Sequence, residues 1–66
     1  MSKDILPGRE VLIEFIPVGN FMKVSAIDTL THTEISIQGP TNAGQAMLKM
    51  NAMKRLEYVM KKKGLI

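Results

Sequence analysis

The sequence predicts an α+β fold: a three-stranded antiparallel β-meander (about 9–17, 21–28 and 33–38) with one C-terminal helix (about 42–63) packed on one sheet face. Three observations predict it. Runs rich in β-branched and aromatic residues fill much of the first 40 positions. Clusters of Gly, Pro, Asn, Asp and Thr separate those runs. From Asn42 onward the apolar residues recur at helical spacing instead.

Pro7-Gly8 closes a segment, 1–8, that reads as a flexible leader, so 9–66 form one β-β-β-α domain. Arg9 to Val18 then reads as a strand. Pro17 cannot donate to a ladder, which places this strand at a sheet edge or ends it nearby. Gly19-Asn20 is a two-residue hairpin signal, because both residue types tolerate positive φ. That loop pairs Val18 with Phe21, Phe15 with Val24 and Ile13 with Ala26. Val18 is grouped with Ile13, Phe15, Val24 and Ala26 on the apolar face. The other face takes Leu12 beside Ile27, Glu14 beside Ser25 and Ile16 beside Lys23.

The second turn lacks glycine, and its length follows from the faces. A four-residue loop, Thr29 to His32, pairs Asp28 with Thr33, Ala26 with Ile35 and Val24 with Ile37. This keeps both isoleucines on the Val24/Ala26 face. Its last residue, His32, is expected at positive φ, with Asp28 accepting hydrogen bonds from loop amides. Gly39-Pro40 ends the third strand. Asn42 with Gln45 has the spacing of a capping box, Thr41 being the rival N-cap. Leu48, Ala52, Met53, Leu56, Val59 and Met60 form the buried stripe, and Gly64 is placed as a left-handed C′ residue.

The bulk numbers narrow the function classes. At 66 residues the chain buries a modest core, and small domains often add disulfides, a metal or oligomerisation. With no cysteine and a single histidine, disulfides and zinc sites are not expected, and oligomerisation remains. The lack of cysteine fits a reducing compartment. The N-terminal residues lack the apolar core of a signal peptide, and no apolar run approaches the roughly 20 residues that span a bilayer. A cytoplasmic location without membrane association is the expectation. Net charge is +3, unevenly spread: residues 1–40 hold three cations and five acids, residues 41–66 six cations and one acid.

No enzymatic centre, cofactor or metal site is expected. Asp28, His32 and Glu34 read as turn residues around one loop, and Ser25 and Ser36 lie beside no histidine. Gly39-Pro40-Thr41-Asn42-Ala43-Gly44 opens a helix but lacks the lysine and spacing of a phosphate-binding loop. Met47 and Met50 fall outside the buried stripe and are candidates for an exposed surface. Two contact surfaces stand out. Leu12, Ile16, Phe21 and Ile27 make the outer sheet face more apolar than a face left to water, which points to a homodimer or a protein partner. Lys54, Arg55, Lys61, Lys62 and Lys63 give the helix a basic face, read either as solvated lysines complementing the helix dipole or as a nucleic-acid contact.

Arg9-Glu10-Val11 through Phe15, Val18-Gly19-Asn20, Lys23 through Asp28, Thr33 through Ile37 and Gly39-Pro40 resemble small uncharacterised proteobacterial proteins of unknown function. That resemblance implies no activity. In layout, strand-strand-strand-helix is similar to the latter part of double-stranded-RNA-binding domains, which implies the shape. Those domains carry a lysine cluster at the start of their last helix. This chain has Thr41-Asn42-Ala43-Gly44-Gln45 there.

Overall fold

In the computed structural model, which describes residues 2–3 and 9–66, the long strands and the helix form where the alternation and periodicity place them. They are β1 (Ser2–Lys3), β2 (Glu10–Val18), β3 (Phe21–Asp28), β4 (Thr33–Pro40), a 3-10 turn (Thr41–Ala43) and α1 (Gln45–Lys62). The sheet is antiparallel with order β1-β2-β3-β4. Ser2 and Lys3, within the expected leader, pair with Val11 and Glu10; Met1 and residues 4–8 lie outside the described residues.

Both hairpin registers follow the expected loops. Ile13 faces Ala26 and Phe15 faces Val24, while Ala26 faces Ile35 and Val24 faces Ile37. Only Gly19 of the first turn has positive φ, at 59°, the pattern of a type II′ turn, so Asn20 does not use the freedom its side chain allows. His32 sits at φ 61° and its amide donates to the Asp28 carbonyl over 2.8 Å. The Val18–Phe21 pair flanks the two-residue turn and exchanges ladder bonds. By alternation Pro17 falls on a non-hydrogen-bonded pair with Met22. Its missing donor therefore faces the open edge of β2, which β1 covers only at Glu10 and Val11.

α1 packs on β3 and β4. Leu48, Ala52, Met53, Leu56 and Met60 are buried against Val11, Ile13, Val24 and Ala26, with Phe15, Met22, Ile35 and Ile37 around them. Four expectations are corrected. Val18 lies on the outer face and is 53% exposed, because strict two-residue alternation groups it with Leu12, Glu14 and Ile16. Val59 is only half-buried at the flank of the stripe. The capping box at Asn42 and Gln45 is not formed. Thr41–Ala43 make a 3-10 turn whose first amide bonds to the Asn20 carbonyl over 3.3 Å, and α1 starts after Gly44 with no side-chain cap. β4 also runs to Pro40, two residues past the expected end, where Pro40 faces Phe21.

The helix ends as its sequence implies. Gly64 has φ 74°; its amide donates to Lys61 O and that of Leu65 to Met60 O, at 3.0 and 2.8 Å. These two bonds make a Schellman motif, which satisfies carbonyls that no further turn could reach.

Candidate functional site

Because α1 covers one side of the sheet only, alternation delivers every second strand residue to a face that no other element covers among the described residues. Four cross-strand rows build it: Leu12, Ile27 and Glu34; Glu14, Ser25 and Ser36; Ile16, Lys23 and Gln38; Val18, Phe21 and Pro40. Ile16 is 38% exposed and Phe21 55%. Leu12 and Ile27 are half-buried and, with Ile13 and Glu14, line an open groove of about 410 Å³. The four expected contact residues therefore share one face, and Val18, missed by the sequence grouping, completes its hairpin end. Beside this face, the outer edge of β4 pairs with no strand among the described residues.

The second surface is the outward side of α1. Lys54, Arg55, Lys61, Lys62 and Lys63 are all exposed. Tyr58, also exposed, lies among them. The Arg55 guanidinium is 5.7 Å and the Lys62 ammonium 5.6 Å from its ring centroid, and Lys62 Nζ donates to Tyr58 Oη over 3.4 Å. The spacing i, i+3, i+7 of Arg55, Tyr58 and Lys62 is the sequence signal for this grouping. Glu57 pairs with Lys61 at 3.8 Å. Met47 and Met50 are exposed as expected, at the start of the helix.

The Asp28, His32 and Glu34 grouping does not converge. Asp28 faces the helix side and is fully buried, whereas Glu34 is exposed on the outer face. Asp28 Oδ2 accepts from the Thr31 amide at 3.0 Å, from Thr31 Oγ1 at 2.6 Å and from Arg9 Nη1 at 3.4 Å. Thr31 Oγ1 also bonds Thr33 Oγ1 at 2.7 Å, and Thr29 ties the loop to the Glu10 carbonyl. This is a turn-holding network: it anchors the start of β2 to the far hairpin. Among the described residues no three His, Cys, Asp or Glu side chains gather as a metal site would require. Likewise no helix is long and apolar enough to cross a membrane.

No curated protein and no solved structure matches the chain. A family model does, over residues 8–63, a span that takes in both hairpins, the helix and both exposed surfaces. The chain therefore belongs to the family described as a domain of unknown function, DUF6898.

Proposed function

We propose that the chain is a non-enzymatic assembly module of the cytoplasm that forms a homodimer through the outer face of its sheet. The order of the four rows on that face carries this reading. A two-fold axis lying across the strands, between the Glu14 and Ile16 rows, sets the first row of one copy against the last row of the other. Leu12 then faces Val18 of the second copy, and Ile27 faces its Phe21. Glu14 lies diagonally across from Lys23 of the second copy, so these two charges pair, while Glu34 lies at the β4 edge opposite Pro40 of the second copy. A closed two-fold contact repeats every favourable contact twice, which suits a domain with a core this small.

Sedimentation equilibrium over a wide concentration range tests it. The expected result is a mass rising from monomer to dimer. Burying one Phe side chain is worth about 1.5–3 kcal/mol. Phe21 is 55% exposed in the monomer, so about half of this remains to be gained per copy; counted twice, Phe21→Lys should weaken the dimer by roughly 10- to 10²-fold while the circular dichroism spectrum stays unchanged. A wild-type mass fixed at monomer, or a Phe21→Lys variant that dimerises equally well, refutes the assignment.

A further inference from the structure

On the side of the domain away from that sheet face, we infer that the outward face of α1 binds single-stranded nucleic acid, with Tyr58 as a stacking platform between phosphate-binding cations. At about 100° per residue, Lys54, Arg55, Tyr58, Lys61 and Lys62 fall within an arc of about 120°. No acid lies inside that arc; Glu57, the only acid of residues 41–66, falls outside it and is half-buried. The helix dipole accounts for Lys61 and Lys62, which occupy the last turn. It does not account for Lys54 and Arg55, because its influence falls off within one turn of the terminus.

Tyr58 supplies the second argument. Tyr58 is 54% exposed and is not part of the core, yet two cations lie over its ring, 5.7 and 5.6 Å from the centroid. The Arg55 and Lys62 cations lie over the ring, so a stacking base takes their place there as they turn to its flanking phosphates, which joins the aromatic face and the cations that single-strand binders use. A base locked in a duplex cannot reach such a ring, so the aromatic residue selects the single strand.

The test uses the full chain and fluorescence anisotropy with labelled oligothymidylate and oligouridylate. With four cations on phosphates, the logarithm of affinity should fall with that of salt at a slope of about −3, so a fourfold rise in salt weakens binding about 50-fold. Lys54→Gln should flatten the slope by about 0.7. Tyr58→Ala should weaken binding at least about 5-fold at every salt concentration, with Tyr58→Phe close to wild type. Both positions are exposed, and circular dichroism checks that each variant is folded. Absence of binding at low salt overturns the inference. So does an unchanged affinity in Tyr58→Ala, equal affinity for a duplex, or tighter binding to phosphatidylserine vesicles than to the oligonucleotides.

Discussion

Gly39 decides how closely α1 approaches the sheet. It lies on the helix-facing side of β4, across from Met22, and a Cβ added there would overlap Leu48 Cδ2. Leu48 is itself 4% exposed, so in Gly39→Ala it has to change rotamer or lift the first turns of the helix. Overpacking of this kind costs about 1–3 kcal/mol, while replacing a strand glycine by alanine returns about 0.5–1 kcal/mol. The expected net loss is about 1–2 kcal/mol. Leu48→Ala alone should cost about 3 kcal/mol. In the double variant the alanine methyl enters the space that Leu48 vacates, so the overlap disappears and the backbone gain remains. The pair should be less destabilised than the two single effects combined by the overlap cost itself, about 1–3 kcal/mol. Urea unfolding followed by circular dichroism measures all four corners of the cycle. A fixed concentration of trimethylamine N-oxide keeps the weaker variants folded at the start. Additivity to within about 0.5 kcal/mol would refute the close Gly39–Leu48 approach.

Two further outcomes follow from the core. Leu56 is fully buried, and a domain of this length carries only about 3–10 kcal/mol of stability. Leu56→Asp should therefore abolish the cooperative unfolding transition, and a folded variant would refute the helix-on-sheet packing. Asp28→Ala removes the acceptor of three charge-assisted bonds, two from Thr31 and one from Arg9, at about 4 kcal/mol in all. Its urea midpoint should fall by a large part of the wild-type value; a shift equivalent to under about 1 kcal/mol would show that the network is dispensable.

Much of this architecture was legible because it is local. Both registers follow from turn length and alternation. The positive φ of His32 follows from the need to close a glycine-free loop, and the Schellman end from Gly64. The two candidate surfaces were legible in the same way: Leu12, Ile16, Phe21 and Ile27 by strand parity, the basic face by helical period. Where local signals failed, a non-local contact prevailed. Asn42 and Gln45 have the spacing of a capping box, but Thr41 is bonded to Asn20 in the distant hairpin, and the chain turns as a 3-10 segment before α1 begins. Asp28 reads as an exposed turn residue, yet its register places it on the helix side, where packing buries it completely.

By itself, then, the sequence determined the three long strands and the helix, the pairing of those strands and the division of side chains between faces, because periods of two and 3.6 residues and turn chemistry act over a few positions. It determined the charge asymmetry as well. Tertiary structure alone decided how closely the helix approaches the face it covers, through the side chain that Gly39 lacks. It also decided that Val11, beyond the stripe expected on the sheet, is fully buried, and that Arg9 meets Asp28 across 19 residues of chain. These depend on the distances between surfaces brought together by folding, which no local pattern encodes.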